Sequence, residues 1–421
     1  MTGKCCIGIL TLILATASVY GVDSSSELQL EWHTYAEADG VEPGHTDFWR
    51  AMTMQLPDPL KMLDGTPIET VAQWKRQRRP ELLELFEQQM FGEAPVGRPE
   101  DLRFEMVKVD PDAMKGRATE KQIEIRFSGP GGEGKMRLLL FIPNAAQEPV
   151  PVFLLICHRD PENIDPSREH ISDFWPAEAL IERGYAAAAF HVSDLDPDHP
   201  DGFENGVHGI FDSHPEKRPP NVWGALTAWA WGASRAMDYL ETDAALDEER
   251  VAVVGHSRGG KAALWTGARD KRFALAVSNN SGANGAALAR LSNGRKIAFA
   301  TKKFPHWFAR NYEQYGNDAE ALPFDQHELI ALMAPRLVYV ASAAKDEWAN
   351  PEAEFLGAYF ASPVWELHGA PGLKGPERPA INQPQHEGPV GYHIRSGGHD
   401  LTGRDWQWFM DFADRHWQPT P

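Results

Sequence analysis

Val251-Ala-Val-Val-Gly-His-Ser-Arg-Gly-Gly-Lys-Ala-Ala-Leu-Trp265 decides how this chain is read. It opens with a β-branched apolar run, which suits a strand buried on both faces. Gly255-His256-Ser257-Arg258-Gly259 follows, a Gly-x-Ser-x-Gly, and then an Ala-rich run with the composition of a helix. Strand, sharp turn and helix in that order make a nucleophile elbow. The glycines stand where a Cβ would meet a neighbouring backbone, and the turn lifts the serine Oγ clear of the sheet. The N–H after Ser257 falls at a helix N-terminus, where unpaired donors and the dipole can hold a developing oxyanion.

Around the elbow, strands and helices alternate from Pro151 onward, the pattern of a mostly parallel sheet covered on both faces. Val152–Cys157, Tyr185–Val192, Arg250–Val254, Phe273–Ser278 and Arg336–Ser342 read as strands, with a short one at Val364–Leu367. Helices are expected over Asn221–Leu240 and Asp405–His416, and a long polar connection over Asp194–Gly209. Upstream, Trp74–Met90 has helical spacing, and its Arg76, Arg78 and Arg79 read as a solvated basic face. Lys121–Phe127 and Met136–Ile142 flank a Gly-rich turn as a hairpin. The expected fold is an α/β-hydrolase: a three-layer sandwich with an N-terminal extension. Residues 22–421 make one catalytic domain, with the extension and first strands in 22–150 and the core in 151–421.

Composition narrows the function. At 421 residues, 42% hydrophobic and 24% charged, the chain is an ordinary globular one, and its net charge of −19 repels nucleic acid. Fourteen tryptophans serve mainly as core, with some available as platforms for sugar rings. Lys4, the apolar Cys5–Leu14 and Ala15-Thr-Ala17 read as an export signal, cleaved after Ala17 or Gly21 and set here at residues 1–21. The signal core is too short to stay in a bilayer. The mature protein is expected to be periplasmic or secreted, free of the membrane and monomeric. Cleavage leaves Cys157 as the sole thiol, so no internal disulfide is expected, and its apolar flank marks it as buried. No metal or cofactor is expected.

A serine nucleophile needs a base, and the base an orienting acid. In α/β-hydrolase order the histidine comes last. His386 and His399 lie late enough. His399, in Ser396-Gly-Gly-His-Asp-Leu401, has the glycines of a loop tip that can reach back over the sheet; His386 lacks that setting. Asp346 follows a late strand, where such an acid is expected. Asp400 is too near His399 to orient it, and Asp325 with Glu328 reads as a helix cap.

Gly255-His-Ser-Arg-Gly-Gly-Lys261, Ser278-Asn-Asn-Ser-Gly282, Phe304-Pro-His-Trp-Phe308, Leu322-Pro-Phe-Asp-Gln-His327, Ala334-Pro-Arg336 and Ser396-Gly-Gly-His-Asp400 together resemble the glucuronoyl esterases of carbohydrate esterase family 15, bacterial type. The resemblance runs from about Leu56 to the C-terminus. It implies hydrolysis of the ester between 4-O-methyl-glucuronate branches of xylan and lignin alcohols. It assigns Ser257 as nucleophile, His399 as base and Arg258 to the oxyanion. Lys261 and Trp348 would contact the sugar, with His306 lining the cleft. Many members carry Glu where this chain has Asn280, an amide that cannot take up the charge of the imidazolium. Others have an Asp just before the substrate tryptophan, matching Asp346 and Trp348, so the acid is assigned to Asp346. Arg295 replaces a Glu of several relatives at a sugar-binding position. Another carbohydrate carboxylesterase on the same fold, such as an acetyl esterase, or a sugar-binding homologue without turnover, are the alternatives.

Overall fold

The protein is described from a computed structural model covering residues 56–212, 218–292, 295–375 and 377–417. The expected signal at 1–21 and the first part of the extension lie outside these residues. Among the described residues nine strands form one sheet: β1 (Arg103–Asp112), β2 (Ala118–Gly129), β3 (Gly132–Pro143), β4 (Val150–Cys157), β5 (Ala186–His191), β6 (Leu246–His256), β7 (Leu275–Asn279), β8 (Leu337–Ala343) and β9 (Val390–Arg395). Their order is β1-β2-β3-β5-β4-β6-β7-β8-β9. The β5-to-β9 part is parallel, and β3, β2 and β1 add an antiparallel meander beside β5.

β6 shows why the sheet sits between two helical layers. Side chains alternate along a strand. Val251 and Val253 enter one apolar cluster, and Ala252 and Val254 enter the other. The first cluster is closed by the helices Arg79–Phe86, Ala225–Leu240, Arg258–Arg269, Gln326–Ala331 and Pro351–Ala361. The second is closed by Ala177–Glu182 and Gly403–Trp417.

Two expectations are corrected. Val364–Leu367 is not a strand but part of the helix Pro363–Leu367: proline opens the first turn, and Val364 and Trp365 are buried against the first cluster. Arg78 and Arg79 do not lie on a solvated face. Arg78 is buried, ion-paired with Glu328 and with Glu81 at 2.6 Å, and Arg79 donates to the carbonyls of Ala268 (2.6 Å) and Leu332 (3.3 Å). Glu328 thus answers Arg78 while it completes a capping box with Asp325. The segment Trp74–Met90 is helical as expected, interrupted by π turns at Trp74–Arg78 and Glu87–Phe91.

The sheet's edges differ. β9 is covered by the segment before it, where Gln385 and Tyr392 exchange backbone hydrogen bonds of 2.8 and 3.1 Å. Among the described residues β1 pairs with β2 alone; it exposes Met106, Val107 and Val109 and slips register between Met106 and Lys108.

Candidate active site

The elbow is built by close approach. A Cβ on Gly255 would lie 1.9 Å from the Gly259 carbonyl oxygen, so no larger residue fits. Ser257 takes φ 53° and ψ −122°, a conformation that costs an L-residue about 1–3 kcal/mol. Its N–H donates to the Asn279 carbonyl at 2.8 Å, tying the turn to the end of β7. The helix Arg258–Arg269 starts on the next residue, so the Arg258 N–H has no partner within it.

Two loops at the same end of the sheet supply the other expected residues. Asp346 follows β8 and His399 follows β9. His399 Nδ1 lies 2.6 Å from Asp346 Oδ2. The same oxygen accepts from Asn280 Nδ2 at 2.8 Å, and Oδ1 accepts from the Ala349 N–H at 3.2 Å. Burial pushes the Asp346 carboxyl up, but His399, Asn280 and that N–H outweigh it and hold it below its ordinary value. With Nδ1–H donated to Asp346, His399 is left with Nε2 as its acceptor. Gly282, at φ 57°, lets the Asn280 segment come against Ala349: a Cβ there would be 2.7 Å from the Ala349 Cα.

His256, beside Ser257 in the chain, holds its ring 4.5 Å from that of His399. Burial first, then the charges of His399 and Arg159, keep it well below its ordinary value. It is neutral: Nδ1 bonds Asn279 Oδ1 at 2.6 Å, and Nε2 accepts from Arg159 Nη2 at 3.2 Å. Arg159 also binds Asp400 at 2.8 Å, so the residue after the expected base has its own partner.

The two cations of the elbow helix are held differently. The Arg258 guanidinium lies 4.8 Å from the Trp307 ring centroid and 5.3 Å from that of Phe304, and its Nη1 is ion-paired with Asp198. Asp198 also accepts from His306 Nε2 (3.0 Å) and Trp307 Nε1 (2.8 Å). Burial would raise the Asp198 carboxyl, yet these donors and the Arg258 charge drive it far down. Arg258 Nε is buried with no partner among the described residues. Lys261 is buried, donates to the Ser281 carbonyl, and has Nζ 5.8 Å from the Trp348 ring centroid. Burial pushes its ammonium down to about 7, against the pull of Glu354.

Ser257, Arg258, Lys261, Asp346, Trp348 and His399 therefore stand at one end of the sheet, with the Trp348 ring 6.5 Å from that of His399. His306 stands behind Arg258, buried. Arg295 is exposed on the first turn of the helix Arg295–Lys303, whose Lys296 donates to the Trp348 carbonyl at 2.9 Å. His386, the other late histidine, bonds Tyr339 Oη at 2.7 Å instead. Asp198 escaped sequence reading because Asp194, Asp196, Asp198 and Asp201 crowd one polar stretch with nothing to single it out. The link between Asn280 and Asp346 was hidden by a sequence separation of 66. Among the described residues no group of three or more His, Cys, Asp or Glu is arranged to hold a metal ion.

Comparison with known proteins identifies the family of the chain. A family model described as "Glucuronyl esterase, fungi" matches residues 174–369. Carbohydrate esterase MZ0003, from an unknown prokaryotic organism, is 38% identical over 97% of this chain and 98% of its own length. A 4-O-methyl-glucuronoyl methylesterase of Schizophyllum commune is 29% identical over 77% of this chain and 76% of its own. Among solved structures, a glucuronoyl esterase from Solibacter usitatus superposes with a TM-score of 0.82 at 40% identity, covering 87% of this chain and 99% of that one. This chain belongs to the glucuronoyl esterases of carbohydrate esterase family 15, and it is a carboxylic ester hydrolase with their α/β-hydrolase fold.

Proposed function

We propose that the protein hydrolyses the ester joining 4-O-methyl-glucuronate branches of xylan to lignin alcohols, through an acyl-enzyme on Ser257. Ser257 Oγ attacks the C6 carbonyl carbon while His399 Nε2 takes its proton. Asp346 stabilises the imidazolium at Nδ1. The oxyanion is held by the Arg258 backbone N–H and by its guanidinium, whose Nε–H is buried and has no partner among the described residues. Collapse expels the alcohol, which takes the proton from His399 Nε2. Water then attacks the acyl carbon, activated by the same nitrogen, and releases the uronate and free Ser257. Lys261 and Trp348 bind the sugar, with Arg295 at the outer margin of the cleft. Signal-directed export through residues 1–21 would bring a monomeric enzyme to cell-wall polymers.

One observation carries the reading: a desolvated ammonium and a guanidinium on the first turn of the elbow helix. A simple acetate has no groups for Lys261 to bind, whereas a uronate offers ring hydroxyls. The test compares benzyl glucuronate with 4-nitrophenyl acetate, using wild type and Ser257→Ala. Wild type should prefer the glucuronate, and the variant should lose roughly 10⁴-fold or more of that activity while staying folded. Turnover of acetate alone, or a folded Ser257→Ala that still works, would overturn the proposal.

A further inference from the structure

His399 sits in a loop of seven residues between β9 and the helix Gly403–Trp417, and three of the four residues before it are Ser396, Gly397 and Gly398. Glycines leave such a loop many conformations. One side chain removes that freedom. Arg395, the last residue of β9, is buried and turns its guanidinium back under the loop. Its Nη1 donates to the Ser396 carbonyl at 3.1 Å. Its Nη2 donates to the Gly398 carbonyl at 2.9 Å and the Asp400 carbonyl at 2.7 Å. One nitrogen thus holds the peptide oxygens on both sides of His399.

The guanidinium is itself fixed. Nε donates to Asp405 at 2.8 and 3.0 Å, and Asp405 is fully buried. Asp405 also accepts from Thr402 N and Oγ1, each at 2.7 Å, and from His393 Nε2 at 2.8 Å. His393 Nδ1 in turn meets Tyr339 Oη at 3.0 Å. The clamp is therefore anchored in β8, β9 and the closing helix, all rigid parts of the core. The Lys345 N–H donates to the Gly397 carbonyl at 2.9 Å, joining the clamped loop to the one that carries Asp346.

We propose that Arg395 is a positioning residue for ester hydrolysis, fixing the backbone on both sides of His399 so that Nε2 meets the serine while Asp346 holds Nδ1. This rests on His399 being the base. Asp346 fixes one ring atom and leaves the ring free to pivot about it; Arg395 fixes the Cα from which the ring hangs. A displacement of the order of 1 Å can cost about 10²-fold in rate.

The experiment measures kcat and KM on an aryl glucuronate ester for wild type, Arg395→Lys, His399→Ala and the double variant, with folding followed by circular dichroism. Lysine keeps the charge but cannot span Asp405 and three carbonyls at once. Arg395→Lys should lower kcat about 10²-fold, leave KM within about twofold, and change the residual rate of His399→Ala by less than about twofold. A folded Arg395→Lys with wild-type kcat, a loss in KM alone, or an equal loss with and without His399 would overturn the inference. If the lysine variant does not fold, Arg395→Gln, smaller and uncharged, is read by the same criteria. Full activity in His399→Ala would instead refute the reading of the site on which the inference stands.

Discussion

Replacing Asp346 by asparagine keeps the shape of the proposed acid and removes its charge. Three donors converge on the carboxylate: His399 Nδ1–H and Asn280 Nδ2–H on Oδ2, and the Ala349 N–H on Oδ1. An amide offers one oxygen. With its NH2 at the Oδ2 position it would oppose two donors; at the Oδ1 position it opposes one. The asparagine should therefore keep its oxygen toward His399, and the ring should keep its tautomer. What is lost is the charge. An imidazolium and a carboxylate with charge centres about 4 Å apart attract by roughly 4 kcal/mol at an effective dielectric near 20, or about 10³-fold in rate. Alanine goes further, because it leaves the part-buried donor of His399 and the buried one of Asn280 unpaired and frees the ring to turn. Its loss should reach about 10⁴-fold, as when a triad histidine takes the wrong tautomer. The assay is kcat/KM on benzyl glucuronate, with folded protein confirmed for each variant. Asp346→Asn within about threefold of wild type would refute the role of the charge. An asparagine variant worse than the alanine one would refute the three-donor argument.

Two further outcomes follow from the cations. Asp198→Asn should lower kcat by about 10–10²-fold with little change in KM, since an amide that keeps its oxygen on His306 and Trp307 turns its NH2 toward Arg258; steady-state kinetics checks it, and an unchanged kcat would mean Arg258 needs no anchor. Lys261→Met should cost glucuronate esters far more than 4-nitrophenyl acetate, and an equal loss on both would make Lys261 structural. The same variant has a pH signature in stability. The folded value of about 7 lies below the ordinary 10.5, so between them the unfolded chain binds the extra proton and wild-type stability rises with pH. The burial penalty is complete below about 7, so any advantage of the methionine variant in urea melts should be largest there and shrink toward pH 10.

Local chemistry was legible in the sequence, and convergence from a distance was not. The β6 run and the elbow announce themselves because strand, turn and helix are contiguous, and each residue's role follows from its neighbours. The capping box of Asp325 and Glu328 was readable for the same reason. The chain hides that Glu328 also answers Arg78, 250 residues away, which is why two buried arginines read as solvated. β1 went unseen because the register slip between Met106 and Lys108 shifts the phase of its apolar alternation from Phe104 and Met106 to Val107 and Val109. β9 went unseen because Gly391, His393 and Arg395 look like loop residues until Asp405 and Tyr339 supply their partners. Asn280 read as a gap where relatives carry an acid; in the fold it donates to the carboxylate from the neighbouring loop.

The unequal edges of the sheet bear on how such molecules behave when concentrated. At β9 the ladder is already closed by the chain's own backbone, so a neighbour finds no free row of donors and acceptors to extend. At β1 no described residue pairs with the outer row, and Met106, Val107 and Val109 would make it adhesive if it were flat and regular. Two details spoil it as a template. The register slip bends the strand out of line, and Lys108, paired with Glu120 at 2.7 Å, sets charge among the apolar side chains. Straightening the slip and exchanging Lys108 for a β-branched residue would turn an inert margin into a seed for fibrillar stacking without touching any residue of the cleft. Among the described residues, the guard against edge-to-edge stacking thus sits at β1, at the opposite end of the sheet from β9 and the loop that carries His399.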